Sequence, residues 1–235
     1  MTGDISKLTL TEEQAKALHL LQSGRNVFLT GKAGTGKSVL VQFFRAWAQS
    51  QRKLVAVCAP TGFAARNVNG VTLHRFARLP HQPVEPFRSN KSLAAKRSSP
   101  FFKAEIVIID EISMCRADSF QYFFNTLTLI PKAKQVVVVG DFFQLPPVVT
   151  PNDRKALEKT WGPHWKSEFA FDTEAWKKLD FVVIKLETIL RQDKSQELFI
   201  RVLDGIRLGD WRALNWINAN AHQRHHLHAQ ACHDP

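Results

Sequence analysis

Apolar residues are concentrated along the chain in short runs that are hydrophobic throughout, and longer mixed stretches separate these runs. The runs predict five strands, at 27–30, 54–58, 106–109, 136–139 and 181–184. A strand exposed on one face alternates apolar and polar residues, whereas a strand covered by helices on both faces is apolar along its whole length. The runs are therefore typical of a parallel sheet with helices on both faces.

The stretch 37–51 follows the first predicted strand and has the periodicity of a helix. Its apolar residues recur at intervals of three and four, which places them on one face. These residues are Val39, Leu40, Phe43, Phe44 and Trp47. A strand, a helix and a second strand in this order predict a doubly wound α/β fold.

The segment between this strand and this helix carries a phosphate-binding pattern. Residues 31–38 read Gly-Lys-Ala-Gly-Thr-Gly-Lys-Ser and fit G-x-x-x-x-G-K-[ST]. In such a loop the glycines let backbone N–H groups surround a phosphate, and the helix N-terminus adds positive partial charge. We expect Lys37 to reach the β- and γ-phosphates and the Ser38 hydroxyl to bind Mg²⁺; the alternative is an ordinary glycine-rich turn. The predicted nucleotide-binding residues here are Gly31, Ala33, Gly34, Thr35, Gly36, Lys37 and Ser38.

Two acidic residues, Asp110 and Glu111, come directly after the strand predicted at 106–109. Mg²⁺ prefers oxygen ligands and usually keeps several waters, so Asp110 is the candidate ligand, directly or through water. Glu111 is the candidate base that orients or deprotonates an attacking water. Acids often end strands, so this pair indicates an NTPase only together with the loop at 31–38.

The charge of the chain points to an acidic partner. The sequence has 32 Lys and Arg residues against 21 Asp and Glu residues, a formal net charge of +11. Nucleic acid is the commonest partner of so basic a protein. The segment 78–103 has six basic side chains, one acidic side chain and four prolines, and we expect an inserted loop or small subdomain. It either follows a DNA backbone or is a solvated loop.

The sequence also favours a particular cellular setting. The longest purely aliphatic runs have four residues, whereas a membrane span needs about 20 apolar residues. The first residues lack the apolar stretch of a secretory signal. The three cysteines lie far apart and form no CxxC pair. We therefore expect no membrane association and a reduced, cytoplasmic location, nucleoid-associated if the source is bacterial.

Seven segments, in family order, resemble the motifs of superfamily 1 DNA helicases of the Pif/RecD type, and the Pif branch is the closer one. Residues 139–148, Val-Gly-Asp-Phe-Phe-Gln-Leu-Pro-Pro-Val, resemble motif III, and residues 110–114, Asp-Glu-Ile-Ser-Met, resemble motif II. The other matches are the glutamine motif at 8–14, motif Ia at 59–65 with its continuation at 72–76, motif IV at 190–192 and the following segment at 206–209.

The resemblance implies a RecA-like P-loop NTPase domain and an ATP-dependent 5′–3′ DNA helicase. ATP and Mg²⁺ are the implied cofactors, and single-stranded DNA or DNA junctions are the implied partners, with the oligomeric state left open. Gln14 would hydrogen-bond the adenine edge, Gln144 would contact the γ-phosphate, and Arg191 would be an arginine finger in cis. The structural alternatives are a helix-surface glutamine, a loop cap and a surface ion pair. The full predicted catalytic set is Lys37, Asp110, Glu111, Gln144 and Arg191.

The same resemblance implies a DNA-binding set. Hydroxyl groups and a glycine amide would bind phosphate oxygens, while Phe63 and His74 would stack on bases or pack beside the strand. For Phe63 the alternative is core packing. The set is Thr61, Gly62, Phe63, Thr72, His74 and Arg75.

We expect one RecA-like domain over residues 1–209, then a helix start and a disordered histidine-rich tail over 210–235. The tail is either compositional or a zinc site, and one hypothesis is that it results from a frameshift. We expect no second RecA-like domain, although helicases of this family have two, so the isolated chain would be a truncated motor half with slow turnover. The alternatives are a nucleotide- and DNA-binding module without efficient turnover and a different basic P-loop ATPase. The tail residues concerned are His222, His225, His226, His228, Cys232 and His233.

Overall fold

The computed structural model describes residues 9–190 and, beyond them, positions 202, 205, 206, 209–213 and 215. The chain divides into two compact units, Met1–Leu190 and Arg191–Pro235. In the second unit, residues 211–213 are helical. The histidines and Cys232 of the predicted tail lie outside the described residues, and the domain boundary near 209 stays a prediction.

The first unit is built on a six-stranded sheet whose neighbouring strands all run parallel, in the order β3-β2-β4-β5-β1-β6. All five predicted strands are present, and their ends lie within two residues of the prediction. The sixth strand, β3, has two residues, too few to form an apolar run. The strands are β1 (Val27–Gly31), β2 (Val55–Ala59), β3 (Val71–Thr72), β4 (Ile106–Ile109), β5 (Gln135–Val139) and β6 (Val182–Leu186).

Nine α-helices lie between and beside these strands in residues 9–190. They are α1 (Glu12–Gln22), α2 (Lys37–Ser50), α3 (Gly62–Asn67), α4 (Leu73–Ala77), α5 (Lys91–Ala95), α6 (Pro100–Lys103), α7 (Ala117–Leu127), α8 (Pro151–Trp161) and α9 (Glu174–Leu179). Threonine side chains cap α1, α3, α4, α8 and α9 by accepting a backbone N–H of the first turn, a contact that fixes where a helix begins. None of the helices described is long and apolar enough to cross a membrane.

The buried core forms two layers, one on each face of the sheet. Successive β4 residues point to opposite faces, so Val107 lies in one layer and Ile108 in the other. The larger layer is aromatic and includes Phe120 of α7. The smaller layer packs Leu21 of α1 and Phe44 of α2 against the sheet. Helices therefore cover both faces, which confirms the predicted α/β architecture.

The basic segment 78–103 is anchored on the larger layer, to which its residues Leu79, Val84, Leu93 and Phe101 belong. Both backbone polar groups of Val84 are bonded: its N–H donates to the Asp118 carboxylate at 2.8 Å, and its carbonyl accepts from the Trp161 indole at 2.7 Å. The basic side chains point to solvent, and they are Arg78, Arg88, Lys91, Lys96, Arg97 and Lys103. A role for these charges in following DNA stays a prediction.

Candidate functional site

The loop between β1 and α2 has the shape of a phosphate cradle. Gly34 and Gly36 have φ values of +81° and +83°, in the left-handed region that favours glycine. Gly36 is the N-cap of α2, no side chain caps this helix, and its first turn has no acidic residue. No side-chain cap or acidic side chain therefore competes with an anion for the N–H groups at the start of α2.

Lys37 folds its side chain back into this cradle. Its ammonium group donates to the carbonyl oxygen of Gly31 at 2.6 Å and to that of Lys32 at 2.9 Å. Ser38, the next residue, is exposed in the first turn of α2. A cation and a hydroxyl group thus lie at the positions that the loop motif predicts for them.

The acidic pair lies at the same edge of the sheet as the loop. β5 pairs with both β1 and β4, so the ends of β1 and β4 are two strand spacings apart, about 10 Å. Burial raises the pKa of Asp110 to about 6, and the charge of Glu111 adds to the effect, whereas the Glu111 N–H and the charge of Lys37 lower it. The predicted phosphate ligand and the predicted metal ligand lie at the same edge of the sheet, at the ends of two strands that both pair with β5.

Glu111 has an unusual backbone conformation. Its φ is +52°, which residues with side chains rarely adopt. Its N–H donates to the Asp110 carboxylate at 3.0 Å, so that carboxylate is held against the Glu111 backbone. Backbone strain of this kind persists where the surrounding structure holds it, and it is common at active sites.

These residues fit a magnesium–nucleotide complex. The loop supplies N–H donors and an ammonium group for phosphate oxygens, and Ser38 and Asp110 supply the oxygen donors that Mg²⁺ prefers. Among the described residues, no group of three or more His, Cys, Asp or Glu side chains forms a separate metal site.

Gln144 lies in the loop after β5, next to an acid that the sequence analysis did not single out. Asp141 is 1% exposed, and its two carboxylate oxygens accept from the Phe143 N–H at 3.1 Å and from the Gln144 side-chain amide at 3.4 Å. Asp141 thus holds the loop that presents Gln144. Its position two residues after an apolar strand was the signal available in the sequence.

Gln14 is buried beside the phosphate loop, in contrast to the helix-surface alternative. Its side-chain amide donates to the Thr35 carbonyl at 3.4 Å and accepts from the Thr11 N–H at 3.1 Å. The contact places Gln14 against the nucleotide loop, while its adenine-binding role stays a prediction. Arg191, the predicted arginine finger, lies outside the described residues.

The predicted DNA-binding residues gather at the ends of β2 and β3, which are neighbours in the sheet. Thr61 and Thr72 are the N-caps of α3 and α4, and their hydroxyl oxygens accept from the helix N–H groups at 3.2 Å. Each hydroxyl keeps its own proton to donate to a phosphate. Gly62 and Arg75 are exposed. The Phe63 side chain is 79% exposed, so it does not pack in the hydrophobic core, which was the alternative.

A pocket of about 210 Å³ brings Thr61 and His74 together with residues that the sequence analysis missed. The rings of His74 and His81 are nearly parallel, with centroids 6.1 Å apart. Burial lowers the pKa of His74, His81 and Arg116 lower it further, and Asp118 opposes them. The pocket exists because the loop after α4 folds back, which no local pattern indicates.

Comparison with known proteins agrees with this site. The chain matches the family model described as PIF1-like helicase over residues 9–215. It is 36% identical over 222 residues to the ATP-dependent DNA helicase PIF1 of Candida albicans, covering 88% of this chain and 23% of that protein. It is 32% identical over 218 residues to Pif1 of a Psychrobacter strain, covering 89% of this chain and 31% of that protein. The chain thus spans about a quarter to a third of these relatives.

Solved structures give the same result. Bacteroides Pif1 bound to single-stranded DNA superposes with a TM-score of 0.72 at 33% identity, covering 90% of this chain and 49% of that one. Its complex with ADP-AlF4 gives a TM-score of 0.68 at 33% identity, covering 87% and 47%. The family match and the parallel sheet agree with the RecA-like fold and the helicase motifs. The chain belongs to the PIF1-like helicase family.

Proposed function

We propose that this chain supplies the ATP-hydrolysing part of a 5′–3′ DNA helicase, in which Mg-ATP hydrolysis drives movement along single-stranded DNA. The observation that carries the proposal is that the phosphate loop after β1, with the Lys37 ammonium folded into it, and the acids after β4 lie at the same edge of the sheet, two strand spacings apart. A hydrolytic site needs a phosphate ligand, a metal ligand and a base at one place, and these three residues provide them.

Each part of the site has a role in this proposal. The N–H groups at the start of α2 and the Lys37 ammonium would bind the phosphates, and Ser38 and Asp110 would hold Mg²⁺. Bound Mg²⁺ neutralises charge on the transferred phosphoryl group. Glu111 would orient the attacking water and accept its proton. Gln144, held by Asp141, would contact the terminal phosphate, and Arg191 would add the positive charge of an arginine finger.

The surface at the ends of β2 and β3 would bind single-stranded DNA or the single-stranded arm of a junction. Thr61, Gly62 and Thr72 would donate to phosphates, Arg75 would add charge, and Phe63 and His74 would contact bases. Bacteroides Pif1, a structural neighbour, has been crystallised with single-stranded DNA. We place this activity in the cytoplasm, at the nucleoid in a bacterium. The free, buried thiols of Cys58 and Cys115 are compatible with a reducing compartment.

The test is the rate of ATP hydrolysis by the purified chain with and without single-stranded DNA. We expect slow hydrolysis that DNA accelerates, and loss of that rate in Lys37→Ala and Glu111→Gln. Binding of ATP and DNA without turnover by the wild-type chain would instead support the binding-module alternative. A rate unchanged in both variants would contradict the assignment of the site.

A further inference from the structure

The segment between β6 and Arg191 is tied to the first turn of α1 by one carboxylate. The two oxygens of Glu13 accept from the backbone N–H groups of Glu187 at 2.7 Å and of Thr188 at 3.2 Å. Hydrogen bonds to an ionised acceptor are among the stronger ones in proteins. Glu13 therefore fixes residues 187–190 relative to α1, although 174 positions separate it from Glu187 in the sequence.

The other end of this segment is tied to the phosphate loop. The N–H of Leu190 donates to the carbonyl oxygen of Gly34 at 2.9 Å. A Cβ atom placed on Gly36 would lie 3.1 Å from a methyl carbon of Leu190 and would clash with the Gln14 side-chain amide. Leu190 is nevertheless 46% exposed. It thus presents an apolar surface beside the loop, with Gln14 as its polar neighbour.

We propose that Glu13 is a positioning residue of the nucleotide site, which holds Leu190 against the phosphate loop so that Leu190 contacts the nucleoside part of the bound nucleotide. This inference rests on the proposed function. When phosphates occupy the cradle and the start of α2, the sugar and base extend past the loop. Leu190 offers an apolar contact for the flat face of a base, which is what nucleotide sites commonly provide next to a few polar groups.

Glu13 could also act only by stabilising α1. Glu12 is the matched control that distinguishes this role from the positioning of Leu190. Both acids lie in the first turn of α1, where a negative charge favours the helix. Glu12, however, forms an exposed ion pair with Lys16 at 2.6 Å. Glu12→Ala therefore removes the same charge from the same turn without releasing residues 187–190.

The experiment measures the dissociation constants of Mg-ATP and of Mg-tripolyphosphate, which lacks sugar and base, for the full chain. The variants are Glu13→Ala, Glu13→Gln, Leu190→Ala and Glu12→Ala, each checked for folding by thermal unfolding. We expect Glu13→Ala and Leu190→Ala to weaken ATP about tenfold, the scale of one lost apolar contact in a binding pocket, and to leave tripolyphosphate unchanged. Glu13→Gln keeps one acceptor oxygen and should lose less, and Glu12→Ala should match the wild type.

The outcomes separate the inference from the proposed function. A wild-type chain that binds neither ligand overturns the proposed function, and the inference with it. A wild-type chain that binds ATP, with Leu190→Ala binding it equally well or losing both ligands to the same extent, overturns the inference alone. If Glu13→Ala does not fold, Glu13→Gln decides the role of Glu13, because it alters the bonds to residues 187 and 188, and equal ATP affinities of Glu13→Gln and the wild type then overturn the inference. If tripolyphosphate binds too weakly to measure, the ATP affinities of Leu190→Ala and Glu12→Ala decide.

Discussion

The ammonium group of Lys37 lies 2.6 Å from the carbonyl oxygen of Gly31, at the opposite end of the loop that both residues belong to. A phosphate bound in this loop would exchange those carbonyl contacts for charged ones, which are stronger. The lysine thus already lies inside the loop that a phosphate would occupy.

Replacement of Lys37 by alanine should slow ATP hydrolysis at least about 100-fold, the usual scale for loss of one charge-stabilising group in an active site. The thermal unfolding temperature should change little, because the two hydrogen bonds of the ammonium group join it to carbonyls of its own loop. Steady-state phosphate release and thermal unfolding measure the two effects. Hydrolysis at the wild-type rate would contradict the assigned role.

Asp118→Ala should destabilise the chain by about 3 kcal/mol, the cost of breaking a buried ion pair. The Asp118 side chain is fully buried, accepts from Arg116 through both oxygens and also accepts the Val84 N–H. Its loss leaves the Val84 N–H without this acceptor and leaves the largely buried Arg116 with the longer ion pair to Asp153, at 3.9 Å. Urea unfolding measures the change, and Glu174→Ala, which removes an exposed pair with Lys177, is the control that should have little effect. Equal stabilities of the two variants would refute the structural role of Asp118.

Phe63→Ala should weaken binding of single-stranded DNA by about 1 to 3 kcal/mol, the value of one base stacked on an aromatic ring. Stability should be unaffected, because the ring is 79% exposed. Fluorescence anisotropy with a labelled oligonucleotide measures the affinity. Leu54→Ala is the control, since Leu54 is also exposed but precedes β2, at the other end of the strand from Thr61. An affinity loss as large in Leu54→Ala would show that the effect is not local.

Acid should destabilise the chain partly through His74. The pKa of His74 is lowered from 6.5 in the folded chain because the ring is buried and faces His81 and Arg116, with Asp118 opposing. The unfolded chain therefore binds more protons below about pH 6.5, and the free energy of unfolding falls as the pH drops through that value. Urea unfolding at pH 8 and pH 5.5 should show a smaller loss in His74→Gln than in the wild type. An identical pH dependence would mean that His74 does not titrate as described.

The phosphate loop and its acids were predictable because their signals are local. The pattern at 31–38 directly follows a run of apolar residues, and Asp110 directly follows another, so each motif carries its own structural context. β3 was missed because two residues are too few to show a pattern of apolar positions. It forms because it pairs with β2, where Val71 lies opposite Cys58. That pairing depends on tertiary structure.

The residues missed at the sites depend on contacts that are distant in the sequence. Arg116 reaches the pocket with Thr61 because Asp118 orients it, and His81 reaches it because its loop folds back onto α4. In the sequence, Glu13 is one of two acids at the start of a predicted helix. Its hydrogen bonds to the backbone of residues 187 and 188 depend on where the chain runs after β6, which the sequence does not show. Sequence patterns thus predicted the elements, while contacts between elements set the details of the site.

The most direct test of the account is a crystal structure of this chain with Mg²⁺ and a nonhydrolysable ATP analogue. We expect the β- and γ-phosphates at the N–H groups of residues 34–38 and at the Lys37 ammonium, with Mg²⁺ between the Ser38 hydroxyl and the Asp110 carboxylate, directly or through water. Phosphates bound away from this loop, or a metal ion held without Asp110, would contradict it.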